Sequence, residues 1–210
     1  MLKLLFLFLI ASLTQNVLGQ NFEGKITYKI SCISNLKDYS DGQVCSGVPL
    51  TQDYFIKNGD YKFVFSDSSD YQWMLYVNKE NKIYNKMSWS DTIYWKDGTE
   101  IIDTILKVEI IEKAAKICGL QCDEIIFICK DEIHKFYYNT QISVDKNIFI
   151  NHKYGNLYDF YKKSNSLVLK EIVENKYLTI ESCATEIKRM KIDEEFFKLP
   201  PTSIISKSPY

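Results

Sequence analysis

The chain has 210 residues, with 26 basic and 27 acidic side chains and a formal net charge of −1. This near-neutrality argues against a nucleic-acid-binding protein, whose surface normally carries an excess of basic residues. Hydrophobic residues make up 46% and charged residues 25% of the chain, with only 4 Pro and 8 Gly. Such a composition is typical of a folded globular domain and excludes collagen-like and proline-rich linker proteins.

Residues 1–19 have the features of a secretory signal peptide. Lys3 supplies the positive charge, residues 4–11 form an apolar run, and residues 17–19 (Val-Leu-Gly) form a small-residue cleavage site. The apolar run is about half of the roughly 20 residues that a membrane-spanning helix needs. We therefore predict cleavage before Gln20 and a soluble, secreted or periplasmic product that does not span a membrane.

The sequence after the signal peptide shows the two-residue alternation of β-strands. Between Phe22 and Cys32, apolar side chains alternate with polar ones, which predicts a half-buried antiparallel strand. Residues 54–65 predict a hairpin, because Asn58-Gly59 accepts the positive φ angles of a type I′ turn and aromatic side chains alternate after it.

Further short strands are predicted along the rest of the chain, separated by turn-prone polar residues. They cover residues 71–77, 82–89, 92–95, 122–129, 133–138, 167–173 and 177–190. Residues 101–115 are ambiguous, because their β-branched content favours a strand whereas residues 108–115 are also compatible with a helix. Residues 147–163 are predicted to form short helices or irregular structure packed on the sheet.

About ten or eleven strands at short spacing, with no alternating helices, predict a mainly β fold (β with minor α). The expected architecture is a single curved antiparallel sheet. No linker or internal repeat divides the chain, so we predict one domain over residues 20–210, a usual size for a single domain.

All six cysteines follow the predicted signal peptide, and an even number in an exported protein favours disulfides. A three-residue turn between Cys118 and Cys122 would place them opposite each other on a hairpin, at a separation that suits a disulfide. A metal site or a redox dithiol is the alternative, although the C-x3-C spacing differs from the usual C-x-x-C. The predicted pairs are Cys118–Cys122, Cys32–Cys45 across a polar loop, and the remaining Cys129–Cys183.

Four short segments together span nearly the whole chain after the signal peptide: FEGKITY (22–28), ICGLQC (117–122), FYYN (136–139) and FFKLP (196–200). They resemble secreted bacterial families of unknown function that share the LolA-like open half-barrel, including relatives of the GLPGLI family. The GLPGLI signature itself is absent, and FINHKYG (149–155) stands after the two tyrosines instead. The resemblance implies a LolA-like open half-barrel whose concave face is covered by short helices and can hold an apolar ligand. These families offer no functional motif that matches this sequence, so the resemblance assigns no functional residue.

The chain offers few residues for catalysis. His134 and His152 are its only histidines; alternation directs His134 toward solvent, and His152, in an Asn- and Gly-rich segment, is the better functional candidate. The sequence contains no G-x-S-x-G, P-loop, H-E-x-x-H or EF-hand motif. We therefore predict a protein that is not an enzyme, has no metal or cofactor, binds no nucleic acid and is a monomer.

Aromatic side chains mark two regions. Seven of them fall within residues 71–95, where they either line a ligand cleft or pack across strands. The segment 147–163 is predicted to act as a lid, with Gly155 as a hinge because glycine tolerates dihedral angles that other residues do not. The ligand-binding residues predicted in it are Phe149, Tyr154, Tyr158 and Tyr161.

These features lead to a hypothesis of an exported, non-catalytic binding protein that carries or senses a hydrophobic ligand or a lipidated partner protein. The alternative is a structural or protein-interaction module at the cell surface, and an exported hydrolase is a more distant third. A carrier requires an internal apolar cavity of hundreds of Å³. An interaction module would instead have a filled interior and an exposed apolar patch.

Overall fold

Residues 21–66 and 70–209 are described by a computed structural model. The predicted signal peptide and its cleavage site lie outside these residues, so both stay predictions. Strands account for 55% of the described residues and helices for 14%, which confirms the predicted mainly β fold. None of the described helices is long and apolar enough to cross a membrane.

A single sheet contains the twelve strands found in the described residues. The strands are β1 (Gly24–Ser34), β2 (Thr51–Lys57), β3 (Asp60–Phe65), β4 (Tyr71–Val77), β5 (Lys82–Met87), β6 (Ile93–Asp97), β7 (Ile105–Ile117), β8 (Leu120–Cys129), β9 (Glu132–Ser143), β10 (Ser166–Asn175), β11 (Leu178–Arg189) and β12 (Ile205–Lys207). The α-helices are α1 (Asp41–Val44) and α2 (Leu157–Ser164), and 3₁₀ helices occupy Asn78–Glu80, Lys146–Phe149, Tyr154–Asn156 and Glu194–Phe197.

The spatial order of the strands is β12-β6-β5-β4-β3-β2-β1-β11-β10-β9-β8-β7. Neighbouring strands are antiparallel except β12, which runs parallel to β6. Most neighbours in the sheet are also consecutive in sequence, as expected where hairpins connect the strands. Strand β1 is the exception in the centre of the sheet: it lies between β2 and β11 and so joins the first half of the chain to the last.

The predicted β2–β3 hairpin is confirmed. Asn58 and Gly59 have φ angles of 50° and 93°, as a type I′ turn requires, and Lys57 pairs with Asp60 across the turn. Glycine suits the second position because its φ lies in a region that side chains rarely adopt.

Strand β7 contains most of residues 101–115, for which the sequence pattern did not decide between strand and helix. The register shifts between Ile111 and Ala115, and Lys113 has a positive φ of 54° within this interval. Such a bulge inserts unpaired residues into one strand of a pair. It breaks the two-residue alternation, which is why the sequence pattern did not separate strand from helix here.

One of the three predicted disulfides is confirmed. Cys32 on β1 is bonded to Cys45, the residue after α1, and so fixes the polar loop between them. Because disulfides persist in oxidising compartments, this bond supports the predicted compartment, while secretion itself stays a prediction.

The predicted Cys118–Cys122 disulfide is wrong, because the turn between β7 and β8 has two residues and not three. Ile117 pairs with Leu120, which makes Cys118 a turn residue and places Cys122 opposite Ala115. Both thiols are free.

The predicted Cys129–Cys183 disulfide is also wrong, and both of these thiols are free. Cys129 ends β8, where its sulfur accepts a hydrogen bond from Asn156 Nδ2 at 3.6 Å. Cys183 lies on β11 near Cys118, at the opposite end of the β7–β8 hairpin. The length of β8 therefore separates the two thiols.

The sheet curves around residues 146–164, here called the covering segment. Four ring contacts with centroid separations of 4.6–6.4 Å connect β4 to β9 through it: Tyr76–Phe149, Phe149–Tyr161, Tyr161–Phe160 and Phe160–Phe136. Six steps separate β4 from β9 in the sheet, about 29 Å in a flat sheet with strands ~4.8 Å apart. The chain of four ring contacts from Tyr76 to Phe136 is shorter than this flat-sheet distance, so the sheet bends toward the covering segment. This confirms a curved, open sheet with short helices on its concave face.

Each face of the sheet carries its own core. The larger core fills part of the concave side and includes Ile26, Tyr28, Tyr54, Ile56, Tyr61, Ile125, Phe127 and Leu169. The smaller one lies on the other face, where the chain after β11 packs Ile192 and Phe197 against Leu75, Tyr84 and Ile93. Because the covering segment and the chain after β11 bury opposite faces of β4, this part of the sheet is enclosed on both sides.

Candidate functional site

The concave face is not completely filled. An inner cavity of about 220 Å³ lies between the sheet and the covering segment. Its lining is mainly aromatic and aliphatic, with Gln52, Glu171 and Ser182 as polar exceptions on the strands. Aromatic lining residues include Tyr28, Tyr54, Tyr61, Phe136, His152 and Tyr161.

An outer compartment of about 370 Å³ adjoins this cavity. The two share Gln52, Met74, Ile83, Tyr154, Glu171 and Ser182. The outer compartment extends toward residues 47–49, the loop after the Cys32–Cys45 disulfide. Together the two form one cleft, here called the concave cleft, of the size and composition usual for small-molecule sites.

A second depression, of about 450 Å³, lies outside the concave cleft, near the turns that end β2 and β4. Its walls include the charged side chains of Lys57, Asp60, Glu80 and Glu194. Ligand sites are usually lined mainly by apolar side chains, so this charged surface is a weaker candidate than the concave cleft.

His152 lies at the inner end of the concave cleft and is 1% exposed. The covering segment positions it through two backbone hydrogen bonds: its N–H donates to Phe149 O, and its carbonyl accepts from Tyr158 N. Its ring stacks against Tyr61, with the centroid 5.8 Å away, and packs against Tyr76 at 4.1 Å. Burial lowers the pKa of His152 to about 4, so the imidazole is neutral at physiological pH.

Two buried polar atoms at this end of the cleft have no partner. They are Tyr54 Oη and His152 Nδ1, and no other buried side-chain nitrogen or oxygen of the described residues is unpaired. Burial, and after it the neighbouring hydroxyl of Tyr161, raises the pKa of Tyr54. Tyr54 Oη and Tyr161 Oη are neighbours, but their arrangement does not meet the geometry of a hydrogen bond. The other ring nitrogen of His152, Nε2, is 2.7 Å from Tyr61 Oη.

The structure brings two of the four predicted ligand-binding residues to the concave cleft. Tyr154 and Tyr161 both line it, and Tyr154 Oη accepts a hydrogen bond from Lys96 Nζ at 3.2 Å. Phe149 is buried between Tyr76 and Tyr161, away from the cleft wall.

The fourth predicted residue, Tyr158, is half-buried and lies under Lys153 Nζ, 3.9 Å from its ring centroid. It does not line the cleft, unlike its neighbour Leu157. Gly155, the predicted hinge, does line it and has a φ of 62°, a conformation that favours glycine.

His134 lies inside the protein, so the prediction that it faces solvent is wrong. It is 6% exposed, because it shares the buried face of β9 with Phe136, whose ring it stacks on at 5.4 Å. Its Nε2 is 2.6 Å from Glu132 and its Nδ1 is 3.2 Å from Glu171. Although burial lowers the pKa of His134, the two carboxylates outweigh it and raise the pKa to about 9. The imidazolium therefore forms an ion pair with Glu171, which lines the cleft, and shares its single positive charge with Glu132.

Sequence reasoning missed the strand residues of the site: Gln52, Tyr54, Tyr61, Glu171 and Ser182. In the structure, Tyr54 and Tyr61 share a buried face of the β2–β3 hairpin. Alternation along these strands does not indicate that this face is concave or that β10 and β11 complete the same wall. Within residues 21–66 and 70–209, no cluster of three or more His, Cys, Asp or Glu can hold a metal ion.

No protein-family model matches the sequence, and no curated protein matches it either. Solved structures that resemble this chain include the following three. PNGF-II has 12% identity and a TM-score of 0.47, covering 88% of this chain and 31% of its own. An uncharacterized conserved protein from Thermus thermophilus has 6% identity and a TM-score of 0.47, covering 87% of this chain and 90% of its own.

The third, LprF from Mycobacterium bovis, has 10% identity and a TM-score of 0.33, covering 81% of this chain and 89% of its own. At such low identities and TM-scores, these structures assign neither a family nor a function to this chain. The relationship to the GLPGLI family therefore stays a prediction.

Proposed function

We propose that the protein is an exported, non-catalytic binding protein that carries or senses a small hydrophobic ligand in the concave cleft. The observation that supports this most directly is the mainly apolar, aromatic lining of two adjoining compartments of about 220 and 370 Å³. Burial of apolar surface is the main source of affinity in sites of this kind. A lipidated partner protein would present the same chemistry through its acyl chain.

The entrance proposed for the ligand lies between the loop at residues 47–49 and the middle of the covering segment, where Tyr154 lines both compartments. Gly155 follows it without a side chain and with a positive φ. Lys153 N and Tyr154 N both donate to Gly98 O, so a rotation at Gly155 that moved Tyr154 and widened the passage would break these two hydrogen bonds.

A second candidate function is that of an interaction module at the cell surface. It is favoured by β7, one of the two edge strands of the sheet, which exposes Leu106, Ile110 and Ile111. Edge strands with exposed apolar side chains can pair with another chain. Native mass spectrometry distinguishes the two functions: a co-purifying lipid supports the carrier, whereas a defined protein partner with an empty cleft supports the module.

Filling the junction of the two compartments is expected to abolish ligand binding. Ser182 lines both compartments, so Ser182→Phe places a ring in the passage. We expect at least tenfold weaker binding of the apolar fluorophore N-phenyl-1-naphthylamine than in the unmodified protein, measured by fluorescence titration.

Ser31→Phe is the matched control. Ser182 pairs with Ile30, and Ser31 is the next residue of β1, exposed on the opposite face of the sheet. The same substitution there should leave fluorophore binding within about twofold while adding the same ring. Equal binding by both variants, or no binding by the unmodified protein, would contradict the proposed function.

A further inference from the structure

The inner end of the concave cleft is unusual for a protein interior because two polar atoms remain unpaired there. Nearly all buried polar groups in native proteins have a hydrogen-bond partner, and exceptions call for an explanation such as a bound ligand or water. Tyr54 Oη and His152 Nδ1 are the two exceptions in the described part of the chain, and both residues line the same cavity.

Both unpaired atoms are hydrogen-bond donors. Burial keeps the pKa of Tyr54 well above its usual range, so the phenol retains its proton. The contact between Tyr61 Oη and His152 Nε2 is the only hydrogen bond of that hydroxyl among residues 21–66 and 70–209. If Tyr61 accepted from Nε2, its own proton would be unpaired as well. With Tyr61 as donor, the neutral imidazole carries its proton on Nδ1.

The charges around the cavity select against ionic ligands. No Lys or Arg lines the inner compartment, and its one carboxylate, Glu171, is already paired with His134. The nearest cation on the cleft is Lys96 in the outer compartment, which donates to Tyr154. An ionised carboxylate buried here would lack a counter-ion, which is strongly unfavourable, and a cation would meet two donors.

We propose that Tyr54 Oη and His152 Nδ1 form a recognition site for the carbonyl oxygen of an uncharged amphiphile, such as a ketone, ester or amide. Neither atom has appreciable exposed surface in the structure, so both donors would turn toward the carbonyl as it enters the inner end, and the apolar remainder would extend along the aromatic wall toward the outer compartment. The inference rests on the proposed ligand-binding function and names the class of ligand.

The test is displacement of N-phenyl-1-naphthylamine at pH 8 by three nine-carbon competitors: 2-nonanone, nonane and nonanoate. For the unmodified protein we expect 2-nonanone to bind at least tenfold more tightly than nonane or nonanoate. Tyr54→Phe removes one donor and should reduce the preference for 2-nonanone over nonane to about threefold or less, without weakening nonane.

Tyr28→Phe is the control, because Tyr28 also lines the cavity but its hydroxyl already donates to Val168 O at 2.6 Å. This variant should keep the ketone preference. Equal displacement by 2-nonanone and nonane, or a preference for nonanoate, would overturn the carbonyl site while leaving the proposed function intact. Failure of the unmodified protein to bind the fluorophore or any competitor would contradict the proposed function itself.

An independent observation concerns two of the free thiols. Cys118 Sγ lies 3.2 Å and Cys183 Sγ 3.9 Å from the same atom, Ala184 O. They meet where β10 separates from β11: the last pair between these strands is Lys170–Cys183, and the tip of the β7–β8 hairpin lies beyond it. Cys118 is exposed and Cys183 partly exposed, so both are accessible to a small disulfide.

From this geometry we infer that Cys118 and Cys183 form a disulfide when the protein meets an oxidant of the glutathione disulfide class. The Cys118 thiolate attacks the oxidant, forms a mixed disulfide and releases one glutathione thiolate. The Cys183 thiolate then displaces the second glutathione, so two protein thiols are oxidised as one glutathione disulfide is reduced. The bond would attach the hairpin tip to β11 and close a long loop of chain, which stabilises the folded state.

Incubation of the folded protein with glutathione disulfide, followed by non-reducing peptide mapping, tests this pairing. We expect a Cys118–Cys183 cross-link and a higher melting temperature. Cys183→Ser should abolish both effects, whereas Cys129→Ser, at the other end of β8, should abolish neither. A Cys118–Cys122 cross-link, or four thiols that remain free after incubation, would overturn the inference.

Discussion

Replacing Phe149 by alanine is expected to lower the free energy of unfolding by about 3–5 kcal/mol, as for other buried phenylalanines. Phe149 is 0% exposed and packs with its ring centroid 4.6 Å from Tyr161 and 6.4 Å from Tyr76. With His152, whose ring packs on Tyr76 at 4.1 Å, it is therefore one of the points at which the covering segment is attached to β4. Removal of the ring would leave a cavity between the two and loosen the segment that covers the cleft.

Urea unfolding monitored by circular dichroism measures this effect, and Ile150→Ala is the matched control. Ile150 is the next residue but is 51% exposed, so its truncation should change stability by about 0.5 kcal/mol or less. Similar losses in the two variants would mean that Phe149 is not an anchor. Loss of ligand binding by Phe149→Ala at unchanged stability would instead restore its predicted role in direct contact with ligand.

The second large effect is a stability maximum near pH 6.5, limited on each side by a different histidine. Hydrogen bonds to Glu132 and Glu171 overcome the effect of burial and raise the pKa of His134 to about 9. Between the unfolded value of 6.5 and about 9, the folded protein holds a proton that the unfolded chain has lost. Its contribution is complete below pH 6.5 and is lost with rising pH, at about 1.4 kcal/mol per pH unit.

His152 acts in the opposite direction, because burial lowers its pKa from 6.5 to about 4. Above pH 6.5 the imidazole is neutral in both states and has no effect on the pH dependence. Between pH 6.5 and 4 the unfolded chain binds a proton that the folded protein excludes. Stability should therefore decrease as the pH falls, again by about 1.4 kcal/mol per unit.

Urea denaturation at intervals between pH 4.5 and pH 9 tests both slopes. His134→Gln should flatten the decrease above pH 6.5 and keep the decrease below it, and His152→Gln should do the reverse. Each variant thus serves as the control for the other. An unchanged alkaline slope in His134→Gln would show that its two carboxylate contacts do not hold the proton in the folded state.

Local sequence patterns determined the fold class and several of its elements. Alternation between Phe22 and Cys32 is enough to specify a half-buried strand, and Asn58-Gly59 is enough to specify a two-residue hairpin, because both depend on dihedral preferences and on the two-residue period of a strand. The Cys32–Cys45 disulfide could also be predicted from the sequence, because only a short polar loop separates the two cysteines. Where an element contains a bulge, as β7 does at Lys113, the local pattern fails.

The tertiary structure decided which buried face is concave and what meets on it. The two-residue alternation of side chains along β2 and β3 indicates that Tyr54 and Tyr61 share a face. Only the pairing of β1 with both β2 and β11 brings Ser182 onto the same wall. The closeness of Cys118 to Cys183, and the position of His152 against Tyr61, depend in the same way on distant segments. Such contacts arise from strand order and sheet curvature, which reflect the packing of the whole chain and leave no mark on the sequence around each residue.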